Sequence, residues 1–158
     1  MLLGKKRQVG QYIDRIQVGD LFEINQKIDD KDILVYLGLS DDINPMYIQH
    51  SYTEQTSFQK PIVPHVMLIG LLYSCINKHV PGPGSVILST KVDYPEVLYH
   101  YADIHIKLEV IACDTDANEV TFSTRIVDQD QRVVLTGKVN VSPPKPLKPL
   151  PRHAFDNF

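Results

Sequence analysis

Apolar and polar residues alternate along five segments of the chain, which is the pattern of β-strands with one buried face. The predicted strands cover residues 20–28, 86–94, 103–112, 120–127 and 133–141. The segment 103–112 is the clearest, because every second residue from Ile104 to Val110 is apolar. The short polar segments 114–118 and 128–131 separate the last three strands and predict hairpin turns between them.

The helical pattern is strongest over residues 63–79, where apolar side chains leave almost no polar face. We therefore expect a long central helix that is buried nearly all round. Pro64 suits its first position, because the missing N–H of proline is not needed there, and the Pro-Gly sequence 81–84 ends it. A shorter helix, capped by Asp29 or Asp30, is predicted directly after the first strand.

The order of these elements is one strand, a helical region, a long helix and then consecutive antiparallel strands, which indicates an α+β fold. The 158 residues correspond to a single domain. A net charge of −3 gives no electrostatic reason to bind nucleic acid. The helical run falls well short of the roughly 20 apolar residues that a membrane span needs. We therefore expect neither a nucleic-acid partner nor a membrane partner.

The two cysteines, Cys75 and Cys113, fall in the apolar helix and in a strand, without the Cys-x-x-Cys spacing of zinc or redox sites. We interpret them as free thiols, which suits a reducing compartment. The apolar residues at the start of the chain are too few for the core of a signal peptide, so a cytoplasmic location is predicted. The sequence contains neither a metal-binding cluster nor a glycine-rich phosphate loop, so no metal and no cofactor are predicted.

The candidate chemistry begins at residues 40–47, which read SDDINPMY and follow an apolar segment. A carboxylate beside an Asn-Pro turn is held on a rigid loop, as a general base requires. The alternative is a plain turn, since Asp, Asn and Pro are common turn residues. Two further blocks follow in order, FQKPIVPHV at residues 58–66 and VPGPGS at residues 80–85.

This ordered set resembles the MaoC-like hot dog family, and above all the R-specific enoyl-CoA hydratases. Their blocks read Ser-x-Asp-x-Asn-Pro-x-His, Phe-x-x-Pro-Ile-Val-His-Gly-Met and Leu-Pro-Gly-x-Gly-Ser. The resemblance covers about residues 18–141, with 1–17 as a lead-in and 142–158 as a proline-rich tail. It implies a hot dog fold, in which a curved antiparallel sheet wraps around the long helix, and it implies a homodimer.

The resemblance also implies that the substrate is a thioester of acyl-CoA or of acyl carrier protein. The leading hypothesis is a hydro-lyase, which hydrates a trans-2-enoyl-CoA or dehydrates a 3-hydroxyacyl thioester. Two alternatives stay open: a non-catalytic or repurposed protein that binds acyl-CoA, and a thioesterase, since one fold supports several activities.

By the same resemblance, three residues are predicted to be catalytic. Asp42 is the base. Tyr47 stands at the position of the family's histidine. His65 stands at the position of a glycine whose backbone N–H, at the start of the central helix, faces the thioester oxygen. The side chain of His65 is then a substitute base, a plug in the site or a cap of the helix.

Asn44, Pro64 and Tyr73 are predicted to form the substrate-binding part of the site. Asn44 matches the asparagine that orders the family's loop, and Pro64 lies at the start of the central helix. Tyr73 stands where these hydratases often carry a small serine, so its phenol either shortens the acyl pocket or belongs to the core. The tyrosine at position 47 is the feature that favours the non-catalytic alternative.

Overall fold

The structure is a computed structural model that describes residues 9–147 and has the predicted α+β fold. Its strands are β1 (Leu21–Lys27), β2 (Val86–Asp93), β3 (Asp103–Asp114), β4 (Glu119–Asp128) and β5 (Val133–Ser142). Its helices are α1 (Asp30–Ser40), α2 (His50–Thr53) and α3 (His65–Lys78), preceded by a 3₁₀ turn at Ile13–Arg15. The five predicted strands and the long helix are confirmed, with ends that shift by one or two residues.

All five strands lie in one antiparallel sheet in the order β1-β3-β4-β5-β2. The two predicted hairpins join β3 to β4 and β4 to β5. The edge strands β1 and β2 instead pair with strands that are distant in the sequence. Ile24 lies opposite Ile106, and Thr90 lies opposite Val139.

Helix α3 packs one face against the sheet, and together they form the core. Leu68, Leu72 and Ile76 lie about one helical turn apart on this face and are fully buried. The same hydrophobic cluster includes Phe122 and Ile126 of β4, which point to one face of the strand because they are an even number of residues apart. The long apolar helix therefore packs against one face of the antiparallel sheet, as in a hot dog fold.

The prediction that α3 is buried nearly all round is wrong. Val66 is 59% exposed, and Gly70 and Asn77, which lie on the same side of the helix, are also exposed. The sheet of one chain covers only one face of a helix, so the opposite face has no cover within residues 9–147. Pro64 is the N-cap and not the first helical residue, because the helix begins at His65.

Helix α1 has sequence-encoded signals at both ends. The Asp29 N–H donates a 3.0 Å hydrogen bond to the Asp32 carboxylate, as in a capping box. At the other end Asp41 has a φ of 54°, a left-handed conformation that stops the helix. The chain therefore passes directly from α1 into the loop that begins at Asp42.

The segments that precede β1 and follow β5 both pack against the rest of the domain. Before β1, the Gly10 N–H donates a 2.9 Å hydrogen bond to the Pro83 carbonyl, and Ile16 is a core residue with 7% exposure. After β5, the Pro143 carbonyl accepts a 2.9 Å hydrogen bond from a side chain of the β3–β4 turn. Most of the predicted proline-rich tail, residues 148–158, lies outside the described residues.

Both cysteines are free thiols, with Cys75 buried in α3 and Cys113 half-buried in β3. Burial raises the pKa of each thiol above its ordinary value, so both stay protonated at neutral pH. Within residues 9–147, no helix combines the length and the apolar character that crossing a membrane requires.

Candidate functional site

The loop that follows α1 is held in shape by its own side chains. The Asp42 carboxylate accepts a 3.0 Å hydrogen bond from the Asn44 N–H, and the Asn44 side-chain oxygen accepts one of 3.1 Å from the Met46 N–H. These are two successive Asx turns, in which a side chain takes the place of a backbone acceptor. The polar side chains of the loop therefore fix its backbone before any substrate binds.

The predicted acid–base residues of this loop differ in their surroundings. Asp42 is half-buried, and its second carboxylate oxygen lies 3.5 Å from the Tyr36 hydroxyl, at the limit of a hydrogen bond. Tyr47 is also half-buried, and its N–H donates a 3.1 Å hydrogen bond to the Asn44 carbonyl. Its hydroxyl makes no hydrogen bond within residues 9–147.

His65 stacks on Tyr94, which follows the end of β2. The two ring centroids are 4.3 Å apart, and the ring planes differ by only 5°. The His65 Nε2 atom is buried and has no hydrogen-bond partner in the described part of the chain. Burial lowers the pKa of the imidazole below its ordinary value, so the ring is neutral at neutral pH. Pro64 occupies the N-cap position of α3, and no side-chain hydrogen bond caps this end of the helix within residues 9–147.

Tyr73 joins α3 to the edge strand of the sheet. Its hydroxyl and the Thr90 hydroxyl of β2 are 2.5 Å apart, which is a hydrogen bond in either direction. Burial and the neighbouring Tyr73 raise the pKa of Tyr94, so the phenol of Tyr94 is protonated at neutral pH. His65, Tyr73, Thr90 and Tyr94 thus form one group, which we call the α3–β2 cluster.

The start of α3 offers free donors. The first N–H groups of a helix have no acceptor inside the helix, and here the Met67 N–H is the first to be bonded, at 3.0 Å from the Pro64 carbonyl. The N–H groups of His65 and Val66 precede it and lie at the positive end of the helix dipole. Pro64, the N-cap of the helix, is itself buried.

One backbone hydrogen bond joins the loop to the helix start. The Ile62 N–H donates to the Met46 carbonyl at 3.0 Å, and Met46 directly precedes Tyr47. This bond links two groups of predicted site residues. Asp42, Asn44 and Tyr47 belong to the loop that contains Met46, and Pro64 and His65 follow Ile62 in the sequence. Within residues 9–147, no hydrogen bond joins the side chains of the loop to those of the α3–β2 cluster.

Sequence reasoning missed Thr90 and Tyr94, because each meets its partner across a long sequence separation and no local motif marks it. It also missed a second polar group, in which the Asp30 carboxylate contacts both His100 and Tyr101. Asp30 was visible only as a possible helix cap. The sequence shows only an acidic residue and, seventy residues later, a His-Tyr pair. Such a pattern is too common to predict a contact before the fold is known.

Two further observations concern ligands. Among residues 9–147, no group of three or more His, Cys, Asp or Glu side chains is placed to hold a metal ion. A cleft of about 590 Å³ opens between the starts of α1 and α2 and the β4–β5 turn, with Asp30, Tyr99 and Arg132 in its lining. None of the six predicted site residues lines this cleft.

No family model matches the chain. The chain is similar to the (R)-specific enoyl-CoA hydratase of Aeromonas caviae, with 25% identity over 129 residues, which cover 82% of this chain and 96% of that protein. It is also similar to the 3-hydroxybutyryl-CoA dehydratase of Methylorubrum extorquens, with 22% identity over 134 residues that cover 85% of each chain.

A solved structure gives the same fold. The unliganded R-hydratase from Pseudomonas aeruginosa matches with a TM-score of 0.80 and 23% identity, over 92% of this chain and 97% of that chain. Three observations indicate the same fold. They are the five-stranded antiparallel sheet that packs on α3, the three motif blocks in their order, and the similarity to these proteins. The chain therefore has the hot dog fold of the MaoC-like hydratases and is similar to them in sequence.

Proposed function

We propose that this protein is an acyl-thioester hydro-lyase, which reversibly hydrates a trans-2-enoyl thioester to a 3-hydroxyacyl thioester. The observation that supports the proposal is the hydrogen bond between Met46 and Ile62, because it ties the loop that carries Asp42 to the segment that leads into α3. The similarity to a hydratase and to a dehydratase, which perform the two directions of one reaction, supports the same assignment.

Each requirement of the reaction has a candidate residue. The base takes a proton from water, the water oxygen bonds to C3 of the enoyl group, and C2 accepts a proton, while negative charge develops on the thioester oxygen. Asp42 serves as the base, since its loop is fixed by Asn44. The His65 N–H serves as the donor to the thioester oxygen, because the helix start favours negative charge.

Tyr47 orients the water or the thioester in this proposal. A phenol donates a hydrogen bond but accepts a proton poorly at neutral pH. It can therefore orient a ligand as an imidazole does, but it cannot take over the proton transfer. The proton that C2 receives then comes from the protonated Asp42 itself. Hydration with one acid–base group in place of two is slower, and we therefore expect a weak enzyme.

The second candidate is a repurposed protein that binds acyl-CoA without turning it over. The stack of His65 on Tyr94 favours it, because two aromatic rings at 4.3 Å fill space beside the helix start. The hydrogen bond from Tyr73 to Thr90 adds a second phenol to the same cluster. The thioesterase alternative has no specific contact in its favour.

The assay that tests the proposal follows the ultraviolet absorbance of crotonyl-CoA after the purified protein is added. The conjugated enoyl thioester absorbs and the hydrated product does not, so we expect the absorbance to fall in proportion to the protein concentration. Acyl-CoA binding without any loss of absorbance is the result that favours the repurposed protein. The same assay with an enoyl group on acyl carrier protein decides between the two carriers.

We also propose that the protein forms a homodimer. The exposed face of α3 includes Val66, and the edge strand β2 exposes Val86 and Leu88 at 58% and 47%. Apolar surface and an open strand edge are both removed when a second copy pairs with them. Light scattering at micromolar concentration is expected to give twice the mass of one chain, and the mass of a single chain is the contrary result. The predicted cytoplasmic location stays a prediction.

A further inference from the structure

Residues 98–102, which we call the junction segment, touch the starts of both functional elements. The Ala102 carbonyl accepts a 3.0 Å hydrogen bond from the Ile28 N–H, two residues before α1 begins. The Leu98 carbonyl accepts one of 2.8 Å from the Val63 N–H, two residues before α3 begins. The junction segment therefore sets where α1 and α3 start relative to one another.

The Asp30 side chain strengthens the α1 side of this junction. Asp30 is the first residue of α1, and one of its carboxylate oxygens lies 3.2 Å from the His100 Nδ1. Its other oxygen accepts a hydrogen bond from the Tyr101 hydroxyl. The His100 side chain is only 16% exposed, and its Nε2 has no partner within residues 9–147, so the contact with Asp30 is the polar anchor of this ring.

Tyr101 is held in a backbone conformation that tyrosine avoids. Its φ is 62°, in the left-handed region, where the Cβ of any residue other than glycine is crowded. Such a conformation persists where the surrounding contacts fix it. The hydrogen bond to Asp30 raises the pKa of the Tyr101 phenol, so the hydroxyl remains a donor at neutral pH.

We propose that Asp30 is a positioning residue for the hydration reaction, acting through His100 and Tyr101. Helix α1 carries Asp42 just past its far end, and α3 carries the His65 N–H at its first residue. Tying Asp30 to the junction segment therefore fixes the base relative to the donor of the thioester oxygen. This inference rests on the proposed function, because it takes Asp42 and the His65 N–H as the groups to be positioned.

The kinetic test compares Asp30→Ala with the parent protein. A small misplacement of a reacting group costs rate more than binding, so we expect kcat for crotonyl-CoA to fall about tenfold to a hundredfold while KM changes less than about twofold. Asp30→Asn keeps the shape and one acceptor oxygen, and it should retain more activity than Asp30→Ala. Asp116→Asn, at an exposed carboxylate of the β3–β4 turn, is the matched control and should leave kcat unchanged.

Amide hydrogen exchange tests the same inference without any activity. We expect residues 41–48 to exchange faster in Asp30→Ala, while strands β3 and β4 keep the parent's protection. Tyr101→Phe removes one hydrogen bond with little change of shape, and it should show a smaller effect in the same segment if Asp30→Ala does not fold. Unchanged exchange in residues 41–48, or an equal increase throughout the chain, overturns the positioning role.

The two readouts separate the two hypotheses. A parent protein that does not hydrate crotonyl-CoA contradicts the proposed function, while the exchange measurement still decides whether Asp30 holds the loop. An active parent whose Asp30→Ala variant keeps full kcat and normal exchange contradicts the positioning role and leaves the hydro-lyase standing.

Discussion

Asp42→Asn is expected to lower kcat for crotonyl-CoA hydration by about 10²- to 10⁴-fold, the usual contribution of a general base. The asparagine keeps the length of the side chain and an oxygen that can accept the 3.0 Å hydrogen bond from the Asn44 N–H. The loop should therefore keep its shape while the group that accepts the proton from water is lost. KM should change little, because Asp42 acts on water and not on the bound thioester.

The control for this variant is Asp41→Asn, the same chemical change at the neighbouring residue. Asp41 is exposed and left-handed, a conformation that asparagine adopts readily, so the fold should tolerate the change. Equal loss of rate in both variants would point to a disturbed loop and not to a missing base. Full activity in Asp42→Asn would remove Asp42 from the mechanism.

Tyr47→His is expected to raise the rate of crotonyl-CoA hydration by about 10²- to 10⁴-fold if the site lacks only its second acid–base group. An imidazole both donates and accepts protons at neutral pH, whereas a phenol forms hydrogen bonds but accepts a proton poorly. The Tyr47 hydroxyl has no hydrogen-bond partner in residues 9–147, so the substitution breaks no side-chain contact of this kind. The 3.1 Å bond from its N–H to the Asn44 carbonyl remains.

A matched tyrosine-to-histidine change is available at Tyr52, which lies in α2 and is 46% exposed. Tyr52→His should leave the rate unchanged. A Tyr47→His variant that folds and binds acyl-CoA but gains no activity would contradict the weakened hydratase and favour a site rebuilt for binding. The next hypothesis to test is then that the α3–β2 cluster blocks the substrate. The test is the double variant that combines His65→Gly with Tyr47→His.

These two variants also separate the proposed functions by mechanism. A protein that only binds acyl-CoA loses nothing with Asp42→Asn, whereas a hydro-lyase loses its base. The stack of His65 on Tyr94 is the structural reason for testing both functions. The neutral imidazole at the helix start lies against a ring, and its Nε2 has no hydrogen-bond partner within residues 9–147.

The sequence by itself determined the elements and much of their order. Alternation along residues 103–112 and the polar turns that follow predict β3, β4 and β5 as neighbours, because a hairpin turn acts over a few residues. It also determined the loop geometry at Asp42 and Asn44, since an Asx turn needs only its own side chain and the next residues. Local interactions can be inferred from a local pattern.

Only the tertiary structure decided what depends on contacts between distant segments. The pairing of β2 with β5 brings Thr90 to Tyr73, and the path of the chain after β2 brings Tyr94 to His65. The exposed face of α3 could not be predicted from composition, because an apolar helix shows the same pattern whether one face or all of it is covered. The contact of Asp30 with His100 spans seventy residues, and no pattern along the chain encodes such a distance.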